Sequence, residues 1–166
     1  MAMSKTDENI KTAFVGEAKA VARLQAFAEK AEKEEMPQIA KLFRAVSLAE
    51  MVHAKKHLRN MGAIKSTEEN LQAAFESETS VHEVFYPDFI KQAVEDGNKA
   101  AEIAFMQSRD AEEYHARLYK NALQDLMEER DTDYFVCSVC GYVADGEAPD
   151  ACPVCQAKKE KFLPVA

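Results

Sequence analysis

At 166 residues, 47% hydrophobic and 30% charged, the chain has the length of one ordinary domain plus a small appendage, and apolar content sufficient for a packed core. Its net charge of −8 argues against a nucleic-acid or anionic-membrane partner, since neither tolerates an acidic surface well. The opening Met1-Ala2-Met3-Ser4-Lys5 lacks an apolar run and no stretch approaches the length of a membrane span, so neither a signal peptide nor a membrane anchor is expected.

The first element is a helix with the apolar stripe Ile10, Phe14, Val21, Leu24, Ala28 and Ala31, into which Glu17 falls. A lone carboxylate on a buried line is expensive unless a cation meets it. A second helix opens at Pro37 and carries Ile39, Phe43, Val46, Glu50, His53 and His57 on one line. Ser66-Thr67-Glu68-Glu69 reads as a capping box for a third helix with Leu71, Phe75, Glu78, His82, Phe85 and Phe89. Inside it Pro87 deprives the Glu83 carbonyl of its N–H partner, which predicts a kink near Tyr86. Asp96-Gly97-Asn98 ends that helix, and a fourth runs through Ala101, Phe105, Ser108, Glu112, His115, Tyr119, Ala122 and Leu126, with periodicity stopping near Arg130.

The chemistry lies in a repeat. Glu17 precedes Glu50-Met51-Val52-His53 by 33 residues, and Glu78 precedes Glu112-Glu113-Tyr114-His115 by 34. Counted from the hairpin turns at ~1.5 Å per residue, the four carboxylates lie at similar depths. Four helices with inward Glu, two adding His at i+3, describe a carboxylate-bridged di-metal site. Such a donor set suits iron over zinc, with manganese also compatible. His57, His82, Glu83 and Glu113 read as packing or surface groups.

Residues 131–166 differ in kind. They hold Gly, Pro, aromatics and all four cysteines, as Cys137-Ser-Val-Cys140-Gly and Cys152-Pro-Val-Cys155. A segment this short cannot build a sufficient core and is held by metal. The spacing fits either zinc as a structural post or iron as a one-electron relay, and iron accords with a di-metal site in the same chain. The expected domains are therefore 1–130, a helix bundle, and 131–166, a four-cysteine module.

These residues resemble rubrerythrin. The resemblance spans nearly the whole chain and rests on Glu17-Ala-Lys-Ala, Ala49-Glu50-Met-Val-His53-Ala-Lys, Tyr86-Pro87-Asp88-Phe89, Ala111-Glu112-Glu-Tyr-His115, and Cys140-Gly-Tyr-Val with Ala148-Pro149 and Cys152-Pro-Val-Cys155. It implies an all-α four-helix ferritin-like bundle followed by a small C-terminal rubredoxin-like domain. It also implies a cytoplasmic peroxidase that reduces hydrogen peroxide to water. Electrons would come from rubredoxin or an NAD(P)H-dependent reductase, through the iron held by Cys137, Cys140, Cys152 and Cys155, to two non-haem irons. Glu50 and Glu112 would bridge, Glu17 and Glu78 would be terminal, His53 and His115 would each ligate one iron, and Tyr86 would stand beside the site. The family's useful electron path runs between subunits.

Three positions depart from the family pattern. Val81 replaces a ligating Glu that exchanges with the His53 equivalent, so His53 is expected to stay bound in both redox states. Leu24 replaces a tyrosine, and Gln156 a glycine. The resulting four-Glu, two-His set also fits an oxygen-using oxidase or ferroxidase, or an iron-handling ferritin-like protein. Finally, the connection from Met61 to Ser66 reaches at most ~14–18 Å, against about 42 Å for a helix of about 28 residues. Either the helices run simply up and down or two chains exchange hairpins, and the family's crossover topology points to a swapped homodimer.

Overall fold

A computed structural model describes residues 4–124 and 132–165. The chain divides into two compact units, Met1–Lys65 and Ser66–Ala166. The proposed boundary at 130/131, and Leu126 and Arg130 with it, lie outside the described residues. Among these residues no helix is long and apolar enough to cross a membrane.

The first unit is a helical hairpin of α1 (Lys5–Lys33) and α2 (Pro37–Asn60). α1 starts at a capping box, Ser4 with Asp7, which satisfies two of its free N–H groups. Small residues line the seam. Ala28, Ala31, Ala40 and Ala54 are buried, which lets the backbones approach. Phe27 meets Phe43 edge-on at 5.6 Å, and the buried Ser47 hydroxyl donates to the Val21 carbonyl at 3.1 Å. The turn closes with Met36 N–H donating to the Ala31 carbonyl and Glu35 N–H to Glu32. That geometry puts Glu35 at φ 57°, a left-handed position that favours glycine.

In the second unit α3 (Thr67–Ser80) begins at the Ser66–Glu69 capping box read from the sequence. A π-helical turn, Val81–Phe85, then leads into α4 (Tyr86–Glu95). The forecast kink is this turn. Tyr86 N–H donates to the Val81 carbonyl, five residues back; Pro87 has no N–H to give, so the ladder widens ahead of it. Gly97, at φ 66°, ends α4 with Asn98 N–H donating to the Ala93 carbonyl, and Asn98 Oδ1 then accepts from Ala101 N–H at the start of α5 (Lys99–Gln124). α3 and α4 pack on α5, where Tyr86, Phe89 and Phe105 form an aromatic cluster with ring centroids 5.7–6.1 Å apart.

The same unit contains a three-stranded antiparallel sheet in the order β2-β1-β3, from β1 (Tyr134–Cys137), β2 (Val143–Asp145) and β3 (Phe162–Pro164). Its core consists of Cys137, Ala144, Ala148, Cys152 and Phe162. Two cysteines in so small a core leave the fold dependent on what they bind.

Candidate metal centres

Each unit holds one Glu-Glu-His triad. Glu17, Glu50 and His53 offer ligand atoms within 4.8 Å of one another, and so do Glu78, Glu112 and His115. In the first triad His53 Nδ1 lies 2.9 Å from Glu50 Oε2 and 3.8 Å from Glu17 Oε1. In the second, His115 Nδ1 lies 2.7 Å from Glu112 Oε2. The i+3 spacing does this locally, because residues three apart share a helix face, whereas Glu17 and Glu78 arrive from the neighbouring helix.

The second triad shows what the donors lack. Burial pushes the Glu78 carboxyl up to about 7, reinforced by its hydrogen bond with Glu112 and by that group's charge. Two carboxylates so close in a half-buried site repel until a proton or cation lies between them. A hard divalent ion fits this oxygen-rich set with one imidazole nitrogen.

His115 is held from its far side as well. Its Nε2 donates to the Gly141 carbonyl at 2.9 Å. A carbonyl only accepts, so the proton sits on Nε2 and Nδ1 is turned to the carboxylates as the ligating nitrogen. Beside this bond Tyr114 and Tyr142 meet edge-on at 4.7 Å, with the Arg117 guanidinium 4.6 Å over the Tyr114 ring. The four-cysteine module thus rests on α5 of its own chain. No spacing signals this contact, since His115 and Gly141 lie 26 residues apart.

The four thiols converge as a tetrahedral site requires. Cys137 and Cys155 Sγ atoms are 3.7 Å apart, and those of Cys140 and Cys152 are 3.6 Å apart. Metal–sulfur bonds of about 2.3 Å give tetrahedron edges of about 3.8 Å. Burial pushes the Cys140 and Cys155 thiols up, against amide N–H groups of Tyr142 and Ala157 that favour the thiolates. At Cys137 burial is outweighed by the Val139 and Cys140 amides, which draw that thiol below its ordinary range.

Residues 8–123 match the family model for rubrerythrin, and residues 135–163 match the rubrerythrin rubredoxin-like domain. The chain belongs to the rubrerythrin family. It is 32% identical to nigerythrin of Nitratidesulfovibrio vulgaris, covering 97% of this chain and 87% of that protein. It is 33% identical to rubrerythrin of Porphyromonas gingivalis, over 98% and 90%. Among solved structures, partially reduced nigerythrin aligns over 99% of this chain and 88% of that one, at 32% identity and a TM-score of 0.60. As a rubrerythrin the chain is a metal-binding oxidoreductase with a di-iron site and a rubredoxin-like four-cysteine iron site.

The other histidines stand apart from the triads. His82 Nε2 lies 3.8 Å from Glu83 Oε1, and His57 Nδ1 is buried without a hydrogen-bond partner. Tyr86 lies in the aromatic cluster with Phe89 and Phe105. Val81 stands at the head of the π-helical turn and has no donor to offer.

Proposed function

We propose that this protein is a non-haem di-iron peroxidase that reduces hydrogen peroxide to water in defence against oxidative stress. Its reductant in this reading is a rubredoxin or a separate NAD(P)H-dependent reductase, and its compartment the reducing cytoplasm. When bound, two ferrous ions supply the two electrons that cleave the O–O bond, and the thiolate-held iron returns them one at a time. In this reading Glu50 and Glu112 would bridge the ions, Glu17 and Glu78 would hold the outer positions, and His53 and His115 would supply one nitrogen each. Glu78, whose carboxyl titrates near neutrality before metal binds, together with His82 and Tyr86, is the group set available to move protons.

The observation that carries this reading is the His115–Gly141 hydrogen bond. It joins a ligand of the carboxylate site to the residue after Cys140, a link that storage or a structural zinc post would not need. An anaerobic titration of the reduced, iron-loaded protein with peroxide tests it. Oxidation of both iron chromophores at two electrons per peroxide is expected. Sluggish reaction with peroxide but prompt reaction with oxygen would transfer the assignment to an oxidase or ferroxidase, the second reading, which Val81 favours.

His53 stays a ligand in both redox states in this proposal, because Val81 cannot take its place and His53 already lies against Glu50. Di-ferric and di-ferrous crystal structures with an iron leaving His53 would overturn that. The assembly we propose is a homodimer with exchanged hairpins, each di-iron centre drawing one triad from each chain. Support comes from the short Gly62–Lys65 connection and from the large apolar side chains left open in one chain, among them Leu42, Leu48, Val52, Phe85 and Phe89. A monomer retaining its di-iron centre would exclude exchange.

A further inference from the structure

The two carboxylate triads are alike in composition and unlike in support. His53 is 55% exposed, and among the described residues it pairs only with Glu50 and Glu17. His115 is 21% exposed and is held on both sides, by Glu112 at Nδ1 and by the Gly141 carbonyl at Nε2. An imidazole free to turn gives up that freedom when it binds a metal, whereas one already held by a second hydrogen bond does not.

What holds His115 is itself a product of the cysteine site. Gly141 closes the turn after Cys140: its N–H donates to the Cys137 carbonyl at 2.9 Å, and Cys137 N–H donates to the Tyr142 carbonyl at 2.8 Å. Gly141 takes φ 81°, and a Cβ there would meet nothing within 4 Å, so the backbone angle rather than crowding asks for glycine. Tyr142 stands between Tyr114 on α5, at 4.7 Å, and Phe162 in the module core, at 6.3 Å, and α5 packs against β2. Cys137 and Cys140, the two thiols of this loop, are half of the four-cysteine site. In a module too small to fold without an ion, the loop keeps its shape only while those thiols are ligated. The carbonyl that supports His115 is therefore in place when the cysteine site is filled and lost when it is empty.

We propose that the four-cysteine module sets the metal affinity of the carboxylate site through His115, so that the two centres load in sequence, the cysteine site first. Gly141 is a positioning residue in this scheme, acting on the metal only through the imidazole it holds. Loss of such an outer hydrogen bond weakens a metal site by about 10–100-fold. Coupling between two binding sites is reciprocal, so a metal among the carboxylates tightens the cysteine site by the same factor. The inference needs only the two metal sites, whichever oxidant the loaded protein consumes.

The test uses full-length protein under anaerobic, thiol-reducing conditions, either metal-free or with one zinc per chain in the cysteine site. Zinc prefers the thiolates and manganese(II) the carboxylates, so manganese(II) is titrated and its free concentration read by electron paramagnetic resonance. Zinc-loaded protein is expected to bind manganese about 10–100-fold more tightly than metal-free protein. In H115A the link is cut, and zinc in the module should change manganese affinity by less than twofold. Before manganese is added, the ring nitrogens of His115 should report a proton fixed on Nε2 in the zinc-loaded parent, and averaging between tautomers once zinc is removed. If H115A does not fold, the reciprocal measurement decides: the parent must hold zinc against a competing chelator more tightly, by the same factor, when manganese is present. Manganese affinities within twofold with and without zinc, a zinc dependence that survives in H115A, or a zinc affinity indifferent to manganese would each overturn the proposal.

Discussion

Glu78→Gln should stabilise the protein while disabling it, once the carboxylate site is free of metal. The Glu78 carboxyl rises from its ordinary 4.5 to about 7, first through burial and then through Glu112. Because the folded-state value is raised, its contribution to stability is complete below the unfolded value and is lost as pH climbs through about 7. The shift corresponds to ~3 kcal/mol at most, and solvent around this half-buried group reduces that to ~1–2 kcal/mol. At pH 8 the ionised Glu78 opposes folding by that amount, and glutamine of the same shape removes the opposition. At pH 5 the parent carboxyl is protonated in the fold and the variant gains little. Urea unfolding, at one protein concentration, of protein stripped by a mild chelator that leaves the cysteine iron in place would measure both values. A variant less stable than the parent at pH 8, or a gain equal at pH 5 and pH 8, would refute the reasoning. The same charge makes loading of this triad expel a proton below about pH 7, so ferrous affinity should rise with pH through that range.

Tyr114→Ala removes an aromatic pair worth about 0.5–1.5 kcal/mol, and should speed amide exchange at Tyr142 by the corresponding ~2–12-fold while the four-cysteine absorption spectrum is unchanged. Unaltered exchange would show that the tyrosines do not hold the module on α5. Stripping the module with a strong thiolate-competing chelator should abolish the β1–β3 amide resonances and leave α1 and α2 helical, because Ala144, Ala148 and Phe162 with the partly buried Phe135, Tyr142, Val154 and Ala157 are too little core without the metal; a sheet surviving in metal-free protein would contradict this. Glu35→Gly, at φ 57°, should raise stability by about 0.5–1 kcal/mol after the added freedom of the unfolded chain is counted, read as a higher urea midpoint at equal slope.

Much of the molecule is legible from local order alone. The i+3 pairing of Glu50 with His53 and of Glu112 with His115 follows from helix geometry. The Ser66–Glu69 capping box, the Gly97 stop and the cysteine knuckles each need only a few consecutive residues. Pro87 gave a kink with the right cause, yet the widened ladder begins at Val81, since the chain relieves a missing N–H upstream of the proline that lacks it. Even the apolar stripes read true as periodicity, although Ile39 and Val46 on α2 stay 45% and 37% exposed, because the seam of one hairpin buries only part of each stripe.

What the sequence determined by itself is therefore the donor inventory: which side chains share a helix face and which cysteines share a knuckle, because both depend on steps of three or four residues. Tertiary structure alone decided which partners complete them. Glu78 meets Glu112 across two helices and is driven toward neutrality by burial that spacing cannot reveal. His115 has its tautomer fixed by a carbonyl 26 residues away, and the first knuckle is engaged by α5. A backbone carbonyl carries no residue code, so only the packing of helix against sheet could assign it.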